Sequence, residues 1–181
     1  MKIGIIAGSF KPFTSGHLYL IDKATKNNKK VELFVSTTDR IRKNEQPVYW
    51  KQMEIIWKQF ITPFLSNKVN VVYDPNPTVA MFNLLKSADE NLTDNNIYTF
   101  YADSEDIKYI ENPRIALSLP RLTKNNQLRN TSISREKNIN VSGTLARQAI
   151  LEGDMKKFIG MLPEYQRIPF GELIFNILAG K

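Results

Sequence analysis

The sequence predicts an α/β protein: Rossmann-like, with a largely parallel five-stranded sheet and helices on both faces. Three observations carry that expectation. Short apolar runs alternate with stretches whose apolar residues recur every three or four positions. Neither an internal repeat nor a linker interrupts the alternation. Right-handed crossovers between parallel strands then place helices on both sides of one sheet. With 181 residues and 42% hydrophobic content, the chain fills one ordinary core and not comfortably two, so residues 1–181 are expected to form a single domain with a helical C-terminal part over 142–181.

The elements follow in order. Lys2 to Ala7 is an apolar run ending at Gly8 and reads as a buried strand. From His17, Leu18, Leu20, Ile21 and Ala24 recur with helical spacing until the polar stretch Lys26 to Lys30. Val31 to Ser36 is a second strand, followed by a basic loop from Thr37 to Gln46 that holds Asp39, Arg40, Arg42 and Lys43. Trp50, Met53, Ile56, Trp57 and Phe60 step by three and four, giving an amphipathic helix that ends near Pro63, its aromatic stripe facing the core. Val69 to Tyr73 is a third strand. Asn76 is set to cap a helix with Pro77 at its first position, running to about Ala88. Ile97 to Ala102 is a fourth strand and Ile115 to Leu119 a fifth, whereas the polar stretch from Thr123 to Asn140 reads as loop. Ser142 caps a helix that Gly153 ends; Met155 to Met161 and Gly171 to Leu178 form two more.

Composition removes several classes of chemistry. The chain has no cysteine, which excludes disulfides, thiolate metal sites and cysteine nucleophiles, and its one histidine, His17, excludes a multi-histidine zinc centre. The first apolar run is too short for a secretory signal and no run is long enough to span a bilayer, so a soluble, cytoplasmic protein with no membrane partner is expected. A net charge of +7 favours anionic partners: nucleic acid, an acidic surface or small phosphorylated substrates. Of the eight glycines, Gly4, Gly8 and Gly16 fall in the first sixteen residues, and no other occurs before Gly143.

In a doubly wound sheet the ligand crevice lies at the carboxyl ends of strands, where the loop after the first strand meets a helix N-terminus. Gly8-Ser9-Phe10-Lys11-Pro12-Phe13-Thr14-Ser15-Gly16-His17 occupies that position. Gly8 lets the chain turn and leaves room for a ligand against the backbone; Gly16 can do the same at the helix start. If the helix begins near Thr14, then Thr14 and His17 project from one side of its first turn, beside unpaired amides that attract phosphate. The loop is neither a P-loop nor the dinucleotide Gly-x-Gly-x-x-Gly. Late in the chain, Ser142-Gly143-Thr144-Leu145-Ala146-Arg147 offers hydroxyls and amides at a second helix start, with Arg147 one turn in.

Together, and in this order, the two motifs resemble those of the cytidylyltransferase-like nucleotidyltransferase superfamily: a strand leading into Gly-x-Phe-x-Pro and then His-x-Gly-His or Thr-x-Gly-His, and a late helix opening with Ser-Gly-Thr-x-x-Arg. Pro12 is similar to the adenylyltransferase branches. The tail from Arg147 to Asp154 followed by Leu162-Pro163 resembles archaeal-type nicotinamide mononucleotide adenylyltransferases, whereas Thr14 in place of the first histidine resembles phosphopantetheine adenylyltransferases. Residues 48–140 match neither branch closely.

The resemblance implies transfer of a nucleotidyl group from ATP, or CTP in the cytidylyltransferase alternative, to a small phosphate-monoester acceptor with release of pyrophosphate. Nicotinamide mononucleotide is the favoured acceptor and phosphopantetheine the next. Thr14, His17 and Arg147 would be catalytic. Gly8, Ser9, Phe10, Lys11 and Gly16 would line the nucleotide cleft, and Ser142, Gly143 and Thr144 the β- and γ-phosphates. Arg40 and Lys43 are the candidates for the acceptor phosphate. Mg²⁺ would be bound mainly through nucleotide phosphates, so no protein metal ligands are expected. Asp103, Glu105 and Asp106 read as carboxylates at a helix start rather than a metal site, with Asp103 alternatively touching the nucleoside. A different class of protein stays open. Seven basic residues between Lys108 and Lys137 against Glu111 and Glu136 would serve a catalytically inactive nucleic-acid-binding or scaffolding protein on the same fold. A homo-oligomer is also compatible with the sequence.

Overall fold

A computed structural model describes residues 1–103, 106–133 and 141–181. Its contacts gather into two compact units, each assembled from three stretches of chain. The first comprises Met1–Ser9, Leu20–Ser36 and Ser66–Glu136; the second comprises Phe10–Tyr19, Thr37–Leu65 and Lys137–Lys181.

The first unit is built on a parallel sheet of β1 (Lys2–Gly8), β2 (Lys30–Ser36), β3 (Val69–Asp74), β4 (Ile97–Asp103) and β5 (Leu128–Ile133), in the order β3-β2-β1-β4-β5. The chain steps outward from β1 to β3, then returns to β4 on the other side of β1. The topological switch point therefore falls at the carboxyl ends of β1 and β4, as in a doubly wound Rossmann-like fold.

Alternation along β1 shows how the sheet is covered. Ile3 and Ile5 join Phe34, Tyr98, Phe100, the helical residues Met81, Leu85, Ala88 and Leu122, and Leu119 between two short helices in one buried cluster. Gly4 points the other way. A Cβ there would come within 3.4 Å of Ala24 Cβ and 3.0 Å of Asn28 Nδ2, so the missing side chain is what lets α1 (Ser15–Asn27) lie close on that face. Hence α1 and α3 (Pro77–Glu90) cover opposite faces of the sheet. Full burial of a side chain such as Leu85 contributes about 2 kcal/mol.

The expected starts hold where a side chain caps the helix. Asn76 Oδ1 accepts the Val79 N–H at 3.2 Å ahead of Pro77. The fifth strand is a correction. Ile115 to Ser118 of the expected strand belong to α5 (Pro113–Ser118), with Leu119 its C-cap, because Asn112 caps Arg114 N–H at 3.0 Å and Pro113 takes the first helical position. The fifth strand is instead β5, inside the stretch expected as loop. It lies at the sheet edge, where main-chain pairing to β4 holds a strand whose side chains are mostly polar and outward. Two short helices, α4 (Ile107–Ile110) and α6 (Pro120–Lys124), complete this unit. Residues 134–140 of the expected loop, and with them Arg135, Glu136 and Lys137 of the basic segment, lie outside the described residues, as does Glu105.

In the second unit, α2 (Trp50–Ile56) runs into a π-helical turn (Trp57–Ile61) and a 3₁₀ turn (Thr62–Phe64), so the helical segment ends near Pro63, at Phe64, and changes its winding on the way. Three helices follow from the C-terminal part: α7 (Gly143–Leu151), α8 (Met155–Met161) and α9 (Glu164–Ala179). Helix α9 begins seven residues earlier than the expected start at Gly171. Pro169 is tolerated inside it at an exposed position, and buried Gly171 lies where a Cβ would strike Ile159 of α8 at 2.9 Å.

Candidate functional site

The loop that leaves β1 is buried and closely held within the second unit. Gly8 and the exposed Ser9 end the strand, and Phe10, Lys11, Pro12, Phe13 and Thr14 are all buried. Phe10 adopts φ +52°, a left-handed conformation that costs a non-glycine residue about 1–2 kcal/mol. Its ring is held in return by aromatic neighbours. Phe10 meets His17 edge to face at 4.9 Å and Trp57 at 5.9 Å, while Phe13 lies 5.8 Å from His17 and 5.4 Å from Trp57. Trp57 opens the π-helical turn, so the altered winding of that segment sets the wall behind the imidazole.

Thr14 stands immediately ahead of α1. Its carbonyl accepts the N–H of His17 at 3.0 Å and of Leu18 at 3.2 Å, which makes it the N-cap residue. The same residue fixes the imidazole: its backbone N–H donates to His17 Nδ1 at 3.0 Å and its hydroxyl lies 3.1 Å from that atom. With Nδ1 occupied as an acceptor, the neutral ring carries its proton on Nε2. Thr14 and His17 thus share the first turn of a 13-residue helix, the arrangement expected from their spacing.

The second motif comes to the first. Ser142 caps α7 by accepting the Leu145 N–H at 3.1 Å. Arg147, only 4% exposed, donates from Nη1 to the carbonyl of Lys11 at 2.7 Å and from Nη2 to Thr144 Oγ1 at 3.1 Å. A Cβ on Gly143 would lie 3.5 Å from Lys11 O and 3.0 Å from Arg147 Nη1, and one on Gly16 would lie 3.9 Å from Val141 O. Two helix N-termini more than 120 residues apart in sequence are therefore neighbours, and both glycines stand where the chains approach.

The loop after β2 completes the group. Arg40 pairs with Val48 in an isolated antiparallel bridge, closing a short loop whose residues 41–44 are exposed. From that loop Glu45 Oε2 accepts Arg147 Nε at 2.9 Å and Arg40 Nε at 3.2 Å. Desolvation pushes the Glu45 carboxyl up, but the hydrogen bonds from Arg40 and Arg147 outweigh it and hold the group below its usual range. Burial pulls the Arg147 guanidinium down, with Glu45 acting against that shift. Lys11 is 3% exposed, and its Nζ sits 5.5 Å from the centre of the Trp50 ring. Burial brings its ammonium down to about 8, Asp39 opposing and Arg40 adding to the effect. Asp39 itself accepts the Trp50 N–H at 2.7 Å, starting α2.

The structure therefore joins Arg147 and Arg40 at Glu45, ties Arg147 to Thr144 and to the carbonyl of Lys11, and places His17 and Thr14 at the start of α1. Lys43 sits exposed on the loop and makes no described contact with this group. In the first unit, Asp103, the last residue of β4, accepts the N–H of Asp106 through Oδ1 at 2.9 Å. Glu45, Asp39 and Trp50 were not recognisable as site residues from spacing. The one available signal was that Glu45 is the lone acid between Arg40 and Val48, in a loop otherwise basic.

Comparison with known proteins bears on the fold and on the N-terminal third. The family model described as the citrate lyase ligase C-terminal domain matches residues 3–58, which take in β1, the constrained loop, α1, β2 and the loop holding Glu45. No curated protein matches. Among solved structures, Thermotoga maritima TmcAL bound with alpha-thio ATP is similar over 98% of this chain at 15% identity and a TM-score of 0.52. The likeness covers 55% of that protein, so this chain spans about half its length. At that identity the similarity establishes the α/β Rossmann-like fold. Among the described residues no helix is long and apolar enough to cross a membrane.

Proposed function

We propose that this chain transfers the adenylyl group of ATP to a small phosphate monoester, nicotinamide mononucleotide foremost, and releases pyrophosphate. The observation that carries the proposal is the junction of the two motifs: the N-terminus of α7 is tied through Arg147 to the carbonyl of Lys11, in the loop that leads to the capped N-terminus of α1. Two helix starts side by side offer several amide donors and two positive dipole ends to one polyanion. The similar fold of the T. maritima protein, which holds alpha-thio ATP, supports a nucleotide in such a framework.

In the proposed reaction an oxygen of the acceptor phosphate attacks the α-phosphorus, the bond between that phosphorus and the oxygen bridging to the β-phosphate breaks, and pyrophosphate leaves. No covalent enzyme intermediate is needed. Catalysis is in-line positioning together with stabilisation of charge on the α-phosphate and the leaving group. His17, its Nδ1 fixed by Thr14, would donate from Nε2–H to a phosphate oxygen. The Thr144 hydroxyl and the amides of Gly143 and Thr144 would take the β- and γ-phosphates, and Arg40 with Lys11 would supply charge nearby. Mg²⁺ would enter with the triphosphate as part of the substrate. Asp39 and Glu45 are already held by an amide and by two arginines, so phosphate oxygens and water would supply its ligands.

The test is pyrophosphate release measured with each nucleoside triphosphate against nicotinamide mononucleotide, phosphopantetheine and other phosphate monoesters. His17→Ala should lower kcat by about 10²–10³-fold, the range for loss of one donor to a developing charge. Wild-type activity in that variant would overturn the proposed mechanism.

A further inference from the structure

Glu45 has a geometry that neither motif accounts for. One carboxylate oxygen, Oε2, lies between two guanidinium groups, 2.9 Å from Arg147 Nε and 3.2 Å from Arg40 Nε. That is how a phosphate oxygen is held by paired arginines. We propose that Glu45 is an internal stand-in for substrate phosphate: it holds the Arg40–Arg147 pair when the site is empty, gives way when a phosphate group arrives, and so sets the affinity of the site. The proposal deepens the adenylyl-transfer reading above and rests on it.

Three features favour a stand-in over a fixed anchor. Arg147 does not depend on Glu45 for its orientation, because Nη1 stays bound to the Lys11 carbonyl at 2.7 Å and Nη2 to Thr144 Oγ1 at 3.1 Å. The Nε–H that Glu45 occupies is therefore presented by a guanidinium already set in place. Second, Glu45 sits at the edge of an exposed loop and is itself 22% exposed, so its departure disturbs no packed core. Its own N–H makes only a long 3.3 Å bond to the Arg42 carbonyl. Third, Glu45 is the acid that the two arginines share: it opposes the effect of Arg40 and Arg42 on the Arg147 guanidinium, and Asp39 is bound to the Trp50 amide. With Glu45 swung away, the Nε–H groups of Arg40 and Arg147 are presented together to an incoming phosphate.

A stand-in and an anchor predict opposite signs. Glu45→Gln keeps the shape and removes the competing charge, while Glu45→Asp keeps the charge and withdraws it by one methylene. Binding of ATP with Mg²⁺, of inorganic tripolyphosphate and of nicotinamide mononucleotide would be measured by calorimetry at fixed salt. Glu45→Gln should bind at least one of them about five- to tenfold tighter than wild type, with Glu45→Asp between the two. Whichever ligand gains identifies the phosphate group that the arginine pair receives. If wild type binds ATP in a His17-dependent way but both Glu45 variants bind all three ligands equally or more weakly, Glu45 is an anchor and the inference is overturned while the proposed function stands. If neither wild type nor variant binds ATP or tripolyphosphate, both fall together.

Discussion

Replacing Arg147 by Met keeps the aliphatic stem and removes three nitrogens, two of which join α7 to the loops holding Lys11 and Glu45 while the third bonds Thr144 within α7. The cost can be built bond by bond. The carbonyl of Lys11, in a residue only 3% exposed, loses a 2.7 Å donor where water cannot readily take its place, at about 1–3 kcal/mol. Glu45 keeps Arg40 and partial access to solvent, so its loss is that of a surface pair, under about 1 kcal/mol. Thr144 is exposed and exchanges its partner for water at little cost. Against these stands the relief of no longer burying a cation, about 1 kcal/mol when the pairing is incomplete. The net expectation is a destabilisation of about 2 kcal/mol. Urea unfolding with an unchanged m value measures it directly. A variant as stable as wild type would show that the link to Lys11 contributes nothing net. A loss of 5 kcal/mol or more would show that Glu45 is stranded, contradicting its second tie to Arg40.

Two further perturbations follow from the same unit. Because burial lowers the Lys11 ammonium from 10.5 to about 8, both folded and unfolded chains are protonated below pH 8 and the folded state bears the full cost. Between pH 8 and 10.5 the folded chain has released the proton and the unfolded chain has not, so stability rises with pH, by up to about 3 kcal/mol. The wild-type minus Lys11→Met difference in urea stability, taken at pH 7, 9 and 10.5, should rise in favour of wild type across that window; a constant difference would refute it. In α9, Gly171→Ala places a Cβ 2.9–3.2 Å from three carbons of Ile159. Overpacking of about 1–3 kcal/mol should exceed the gain of about 1 kcal/mol in helix propensity. Combining it with Ile159→Ala should therefore cost less than the sum of the single changes, as read from melting temperatures.

What the sequence made legible depended on whether a signal was local. The order of β1 to β4 and the caps at Asn76 and Ser142 were readable because strand alternation and capping are decided within a few residues. The same signature, Asn followed by Pro, stands at 112–113 and starts α5, yet the apolar run behind it also satisfies a strand pattern; six residues are too few for periodicity to decide. Strand β5 escaped for the complementary reason. An edge strand needs its neighbour's main chain more than its own apolar side chains, and that neighbour, β4, is remote in sequence. Helix α9 starts seven residues ahead of the expected Gly171, with Pro169 and Gly171 both inside it. One is exposed, and the other makes room for Ile159, a demand of packing that only the folded structure reveals.

The site shows the same division between what a motif fixes and what charge balance adds. The positions of Thr14, His17, Ser142 and Arg147 could be read from spacing, because each motif serves the N-terminus of the helix it opens. Their counter-ions could not. Bringing Arg147 beside Arg40 and Lys11 concentrates positive charge in a poorly solvated place, and the depressed ammonium of Lys11 records that burial first, with Arg40 adding to it. If the substrate is the phosphate compound of the proposed function, a chain that folds before it arrives has to compensate part of this charge itself, yet full compensation would leave nothing to attract it. Asp39, locked to a helix amide, and Glu45, placed at the edge of an exposed loop, divide that work between a fixed charge and a displaceable one. On the proposed function only the second is placed to be exchanged for phosphate, which puts the control of affinity in the loop after β2 and not in either recognisable motif.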